Sequence, residues 1–410
     1  MSQLKYIDLF AGCGGLSLGL RNSGSWKGIF AIEKSTDAFS TLEHNLIGAD
    51  HFEWPTWLPI EAHDIKEVLR IHASELKHLR NQVDLIVGGP PCQGFSVAGK
   101  RKESDERNQL IKSYVQFIRL VQPKIIFFEN VKGFLQKFER NKTKGKTYSQ
   151  YILNALGRDG NDYLGYNVVG KLINFSDYGV PQKRTRFILV GIRKDIGQQE
   201  YAKDFFKAID QNRESFLVSK GLGMNTNLED AISDLLVENE LIACPDSNGF
   251  QSSAYKEVKS TYQEYMRRGV ESNIPDSHRL TNHGESTIKL FDHLITNTVR
   301  GKRITEKEKM DFGIRKRSLI VFSPEEPTPT LTTHPDDYIH YCEPRILTVR
   351  EYARIQTFPD SFEFRGRYTT GGERRIKQVP RYSQVGNAIP PLFGELAGVV
   401  LNDLLSPYLL

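Results

Sequence analysis

Val83-Asp84-Leu85-Ile86-Val87-Gly88-Gly89-Pro90-Pro91-Cys92-Gln93-Gly94-Phe95-Ser96 is an apolar run ending in two glycines, two prolines and a thiol. The β-branched stretch reads as a buried strand meeting a tight turn. The prolines stiffen that turn and remove two N–H donors directly before Cys92. A cysteine held just past the carboxyl end of a strand sits where open α/β sheets present reactive groups. A lone cysteine is more often a small buried hydrophobe, so the rest of the chain has to decide whether Cys92 is a nucleophile.

Outward from this strand, strands and helices alternate. Residues 4–10 read as a strand, followed by the turn Ala11-Gly12-Cys13-Gly14-Gly15 and a helix from Leu16. Ile29-Phe30-Ala31-Ile32-Glu33 reads as a second strand ending in a carboxylate, and a helix runs through Asp37–Asn45. Asp64-Ile65 closes a third short segment. A helix over 108–121 leads to Lys124-Ile125-Ile126-Phe127-Phe128-Glu129-Asn130-Val131, another apolar strand ending in a carboxylate. Tyr166–Phe175 and Thr185–Ile192 alternate as a terminal hairpin does. The pattern predicts an α/β fold with a doubly wound, mostly parallel sheet. From about residue 194 the rhythm fades into mixed polar sequence, and α/β character returns at Arg345–Pro359 and Ser383–Leu401. The first domain is therefore expected to be interrupted and resumed, with both chain ends in it.

Composition narrows the class. With 410 residues, 39% hydrophobic and 26% charged, the chain matches an ordinary globular protein of about two domains. No run approaches the roughly 18 apolar residues of a membrane span, and the N-terminus lacks a signal-peptide core. Cys13, Cys92, Cys244 and Cys342 are far apart, which suggests neither a disulfide framework nor a zinc site. A reducing, cytoplasmic setting is expected. His278, His283, His293, His334 and His340 are scattered and support no metal site. Net charge is only +5, but Arg300, Lys302, Arg303, Arg315, Lys316 and Arg317 cluster; Lys307 and Lys309 read as a solvated helix face.

Gly12-x-Gly14-Gly15 between a strand and a helix allows close approach of a ligand to the backbone. Glu33, at the end of the second strand, is placed to accept hydrogen bonds from ribose hydroxyls. The dinucleotide fingerprint wants glycine at position 17, where Ser17 stands. A ligand bound through sugar and base, without a pyrophosphate, therefore fits better, and S-adenosylmethionine is such a ligand. Asp64 would then reach the adenine amino group with Ile65 against the ring; a helix N-cap at Asp64 is an equal alternative.

These segments, with Gln182-Lys183-Arg184-Thr185-Arg186, Leu347-Thr348-Val349-Arg350-Glu351 and Gln384-Val385-Gly386-Asn387-Ala388-Ile389-Pro390-Pro391 in order, resemble the cytosine-C5 DNA methyltransferases of prokaryotic restriction–modification systems. The resemblance frames residues 4–193 and 343–401. It implies a Rossmann-like catalytic domain over 1–193, a smaller irregular target-recognition domain over 194–342, and a return to the catalytic domain over 343–410. It also implies methyl transfer from S-adenosylmethionine to C5 of a cytosine flipped out of duplex DNA. Cys92 would attack C6, making C5 nucleophilic. Glu129 would hold N3 and the amino group, Arg186 would bind O2, and Arg184 would orient Glu129 or the loop. Phe10, Ala11, Gly12, Cys13, Gly14, Gly15, Leu16, Glu33, Lys34, Asp64, Ile65, Pro91 and Leu110 would line the cofactor pocket, closed by Asn387, Ala388 and Ile389. Gln93, Ser96, Lys100 and Arg107 fall in or beside a loop (94–110) expected to close over DNA. Thr330 and Leu331 match the family's Thr-Leu element beside the flipped base, and Arg300, Arg303, Arg315 and Arg317 are candidates for phosphate or guanine. Arg350-Glu351 would brace the second domain. A monomer is expected, with a cognate restriction endonuclease acting separately.

Three rivals remain. Family members acting on tRNA carry a Cys-Phe-Thr tripeptide, but Cys244 precedes Pro245 and Cys342 precedes Glu343. Cys92, Glu129, Arg186 and Glu33 together argue against a non-enzymatic regulator. Ser17 argues against an NAD-dependent oxidoreductase.

Overall fold

A computed structural model of the chain describes residues 3–49, 51–91, 106–135, 147–160, 162–197, 199–237, 241–316, 318–369 and 378–408. The chain divides into two compact units. One comprises Met1–Asn174, Thr185–Arg213 and Phe393–Leu410, the other Phe175–Arg184 and Glu214–Leu392. Both chain ends belong to the first unit.

In the first unit β1 (Leu4–Leu9) turns into α1 (Gly15–Asn22) and β2 (Trp26–Ile32). Helices α2 (Thr36–Leu42), α3 (Ile65–Ile71) and α4 (Ala73–His78) precede β3 (Leu85–Gly88). Then come α5 (Glu106–Val121), β4 (Ile125–Val131), α6 (Tyr148–Gly157) and β5 (Tyr166–Asn174). After β6 (Gln182–Lys183), which lies in the second unit, follow β7 (Thr185–Arg193) and α7 (Gln199–Ser219). The main sheet has six strands in the order β2-β1-β3-β4-β7-β5. β7 runs antiparallel to β4 and β5, and the other pairings are parallel. The expected mostly parallel sheet with an antiparallel end is present.

The sheet is buried on both faces, which is why its strands are apolar without alternation. Leu85, Ile86 and Val87 are all fully buried. One face packs on α3, α5 and α6 through Ile7, Leu9, Ile86, Ile118, Phe128 and Ile152. On the other, the Phe127 ring meets Phe205 of α7. The indole N–H of Trp26 donates to the Gly398 carbonyl at 2.9 Å, tying the C-terminal residues to β2. The segment closing at Asp64-Ile65 is a helix start and not a strand.

In the second unit the elements are short: α8 (Leu228–Ile232), β8 (Ile242–Ala243), β9 (Gln251–Ser252), α9 (Thr261–Met266), α10 (Glu285–Asn297), α11 (Glu306–Asp311), β10 (Ile320–Val321), β11 (Thr328–Pro329), β12 (Tyr338–Ile339), α12 (Val349–Ile355) and α13 (Arg381–Asn387). Helix α14 (Pro391–Leu405) carries the chain back to the first unit. Residues 343–392, expected from the sequence to rejoin the catalytic domain, pack within the second unit. Apolar Leu347, Tyr352, Ile355 and Phe358 are fully buried there, and buried ion pairs join them. Buried Arg354 of α12 pairs with Asp360 at 2.6 Å and Asp234 at 3.0 Å, and buried Arg350 pairs with Asp276 at 3.1 Å. Thr348 and Glu351 form a capping box that starts α12, the pattern Thr-x-x-Glu being a helix-start signature. Arg350 and Glu351 thus brace this unit, as expected. Among the described residues one stretch, Arg381–Leu405, is long and apolar enough to cross a membrane, but 72% of its apolar window is buried in the fold.

Candidate active site

The site is built where β1, β3 and β4 end. Gly88 adopts φ 116°, and a Cβ there would lie 1.8 Å from the Leu9 carbonyl oxygen. A Cβ on Gly89 would lie 1.8 Å from the Glu129 carbonyl oxygen. Only glycine lets the chain leave β3 between these two neighbours. The turn that follows is held by Asn130, which is buried and whose amide donates to the Pro90 carbonyl at 3.1 Å. Asn130 was not singled out from the sequence; its place at a carboxyl strand end, between Glu129 and Val131, was the available signal. Pro91 is exposed. Cys92, Gln93, Ser96 and Lys100 lie outside the described residues, as do the side chain of Arg107 and most of the 94–110 loop.

At the end of β1, Phe10 adopts φ 59°, a left-handed conformation that a bulky residue seldom holds without over-determined surroundings. Its half-buried ring packs against the core. The turn is pinned by Glu33, which accepts from the Gly12 N–H at 2.9 Å on one oxygen and from the Ser35 N–H at 2.7 Å on the other. Burial raises the Glu33 carboxyl above its usual range, while the Ser35, Gly12 and Lys34 amides pull it back. Ser17 donates to Asp8 at 2.6 Å, tying α1 to β1 from the position where a dinucleotide turn would carry glycine. Burial pushes the Asp8 carboxyl up to about 7, although the Ser17 hydrogen bond opposes it. Ala11 and Gly12 are half-buried, while Cys13, Gly14, Gly15 and Leu16 are buried. Burial drives the Cys13 thiol up to about 12, so Cys13 is a small core residue.

Asp64 caps α3. It accepts from the Lys66 N–H at 2.9 Å and pairs with Lys34 at 2.8 Å. Burial opposes its ionisation, but Lys34 and the Lys66 amide outweigh it and lower its pKa. Ile65 is buried in the core. Half-buried Leu110 packs on the same cluster.

Glu129 and Arg186 meet across β4 and β7. Val131 is in register with Arg186 and Glu129 with Ile188, so Glu129 and Arg186 sit two residues apart in register on the same face of the sheet. The Arg186 Nε lies 2.9 Å from Glu129 Oε1, with both side chains largely buried. This pairing follows from β7 running antiparallel, which brings its first residues to the carboxyl ends of the parallel strands.

Arg184 makes its two described side-chain hydrogen bonds within the second unit. It belongs to the second unit, is buried, and donates to the Leu331 carbonyl at 3.3 Å and the Gly386 carbonyl at 2.9 Å. Its neighbour Gln182 accepts from the Leu331 N–H at 3.0 Å, and Thr330 donates to the Lys183 carbonyl at 2.9 Å. The Gln182–Arg184 segment therefore positions the Thr330-Leu331 element. A cavity of about 230 Å³ opens beside it, lined by Lys183, Gly301, Ser323, Glu326 and Thr330. Arg300, Arg303 and Arg315 are exposed; Arg317 lies outside the described residues. Lys309, expected on a solvated face, is buried and pairs with Glu306 at 2.7 Å. Asn387 is exposed, Ala388 half-buried and Ile389 buried, all three within the second unit.

The second unit also gathers His340, Glu343 and Glu351, a trio that the sequence spacing concealed. Arg345 bridges the two carboxylates, lying 2.7 Å from Glu351. Burial lowers the His340 pKa to about 3, so it is neutral and Arg345 carries the compensating charge.

Comparison with known proteins agrees with this architecture. The model of the family "C-5 cytosine-specific DNA methylase" matches residues 4–399. The type II methyltransferase M.DdeI of Desulfomicrobium norvegicum is 33% identical over 96% of this chain and 87% of its own length. M.XorII of Xanthomonas oryzae pv. oryzae, also a type II methyltransferase, is 29% identical over 96% of this chain and 83% of its own. Among solved structures, a prophage-encoded DNA modification methyltransferase of E. coli superposes with a TM-score of 0.67 at 24% identity, covering 98% of this chain and 99% of the other, which speaks to the fold. With β1, β3, β4 and β7 presenting the motifs at one sheet edge, the chain belongs to the C-5 cytosine-specific DNA methylase family and is a DNA cytosine-5 methyltransferase.

Proposed function

We propose that the enzyme methylates C5 of a cytosine flipped out of duplex DNA, using S-adenosylmethionine and a covalent bond from Cys92 to C6. The observation that carries this reading is the Glu129–Arg186 pair at 2.9 Å, set beside the turn that delivers Cys92. The donor set around Phe10–Gly15 suits the cofactor: the Glu33 carboxylate and backbone amides match sugar hydroxyls better than a pyrophosphate. The Glu33 oxygens accept the Gly12 and Ser35 N–H groups, and an ionised carboxylate offers about four acceptor positions in all. When bound, S-adenosylmethionine supplies an electrophilic methyl group.

In this reading the Cys92 thiolate adds to C6 and electron density moves to C5. Glu129 holds N3 and the amino group and shares a proton as charge builds on the ring. Arg186 donates to O2 from a position already fixed by Glu129, so no reorganisation is needed as charge develops. Once C5 carries the methyl group, loss of its proton and expulsion of the Cys92 thiolate would restore the aromatic ring. The stacked base cannot present C6 to a protein thiol, so the nucleotide leaves the duplex. Arg184, by contrast, serves as a positioning residue for Thr330-Leu331. The second unit is read as the DNA-recognition unit. We extend the reading to a cytoplasmic monomer, with the type II names of its relatives suggesting a separately acting restriction endonuclease.

The test is Cys92→Ser. Transfer of labelled methyl to duplex DNA should vanish while DNA binding persists; undiminished methylation would refute the nucleophile. Exclusive labelling of tRNA in the wild type would refute the substrate.

A further inference from the structure

One guanidinium in the second unit packs on two aromatic rings and has no hydrogen bond or ion pair among the described residues. The Arg279 side-chain carbon lies 4.0 Å from the centroid of the Phe250 ring and 4.0 Å from that of Tyr368. The stack continues on Tyr368 with Arg381 at 4.2 Å. The backbone around Arg279 is also anchored. The Leu280 N–H donates to the Gln251 carbonyl at 2.8 Å, and the Arg350 N–H to the Ser277 carbonyl at 3.1 Å.

The two stacked arginines differ in their edges. Arg381 donates to the Gly366 carbonyl at 3.0 Å and the Ser277 hydroxyl at 3.0 Å, and it pairs with Asp246. Asp246 in turn accepts from the Tyr368 hydroxyl at 2.8 Å. Arg381 is accounted for as structure. Arg279, half-buried, makes no hydrogen bond or ion pair with any described residue. The rings satisfy its charge but not its five N–H donors, which lie in one plane and suit a ligand with paired acceptors. A partly buried cation with idle donors costs stability, and such local departures from good packing are expected at functional positions.

We propose that Arg279 contacts DNA, its fixed fork taking a pair of acceptors on the bound duplex. Phosphate oxygens and the O6 and N7 of a guanine share that chemistry. The proposal rests on the reading of this unit as the one that recognises DNA.

The experiment compares full-length wild type, Arg279→Lys and Arg279→Ala. Two duplexes are used: one carrying the site found methylated when plasmid DNA treated with the wild type is sequenced, and one of scrambled sequence. Dissociation constants are measured at two salt concentrations, with KM, kcat and melting temperature. Arg279→Lys keeps the charge but loses the planar fork. Both variants should bind the methylated-site duplex about 5- to 150-fold more weakly, raise KM more than they lower kcat, and melt as the wild type does. Loss confined to the methylated-site duplex identifies a guanine; equal loss on both with a shallower salt dependence identifies a phosphate. Wild-type affinity in both variants, or a loss that tracks a fall in melting temperature, overturns the proposal. Failure of the wild type itself to bind or methylate either duplex would instead refute the DNA reading of the unit.

Discussion

Arg186 Nε stands 2.9 Å from Glu129 Oε1, joining the last strand of the sheet to the strand beside the Cys92 turn. Neither group is free to drift, since each orients the other at the edge where the cytosine would bind. Arg186→Ala should lower kcat roughly 100- to 1,000-fold, and Glu129→Gln roughly 100- to 10,000-fold. Single-turnover methyl transfer with DNA in excess checks both, with DNA affinity expected to change far less than rate. Losses confined to KM would deny both residues their role at the reacting base.

Glu33 gives a second prediction, because both its oxygens accept a backbone N–H. Glu33→Gln replaces one acceptor by a donor that faces another donor, so it should not rescue Glu33→Ala. Both variants should bind S-adenosylmethionine about 10- to 150-fold more weakly. The thermal shift on adding the cofactor reports this, and NAD should produce no shift in any of the three proteins.

Asp8 predicts a pH dependence. Its carboxyl is raised from 3.8 to about 7 in the fold, chiefly by burial. Between those values the native state holds a proton that the unfolded state has lost. The stabilisation is complete below pH 3.8 and is lost as pH rises through about 7. The difference amounts to on the order of 4 kcal/mol. Denaturant unfolding of the wild type should therefore weaken from pH 5 to pH 8 more steeply than that of Asp8→Asn. Parallel pH profiles would show that Asp8 is not protonated in the fold.

Arg354 tests the second unit. It is buried and shared between Asp360 and Asp234, so Arg354→Ala strips the shared cation from two buried carboxylates and leaves them the longer pairs to Arg350 at 3.7 Å and Arg267 at 3.6 Å. A loss of about 3–5 kcal/mol is expected, measured by chemical denaturation. A small loss would mean that water reaches the acids once the side chain is gone.

Much of the first unit was legible because apolar runs, glycine turns and strand-end carboxylates are local signals. The strands at 4–9, 85–88, 125–131 and 185–193 fall where the pattern placed them, and Glu33 and Glu129 sit at the strand ends where they were expected. The second unit was far less legible. Its strands are two residues long, too short for periodicity, and its order comes from buried arginines paired across distant sequence. Lys309 shows the limit: its charge read as solvent exposure, yet its side chain is buried against Glu306. Arg279 was overlooked for a similar reason, since Phe250 and Tyr368 are nowhere near it in sequence.

The sequence alone determined the sheet, the glycine turn and the order of the motifs, because strand periodicity and turn chemistry act over a few residues. Tertiary structure decided that Arg186 meets Glu129. β7, running antiparallel to β4, carries Arg186 to Glu129. Arg184 turns to the Leu331 and Gly386 carbonyls. Strand direction and register are set by pairing between segments remote in the chain, and no local stretch contains that information.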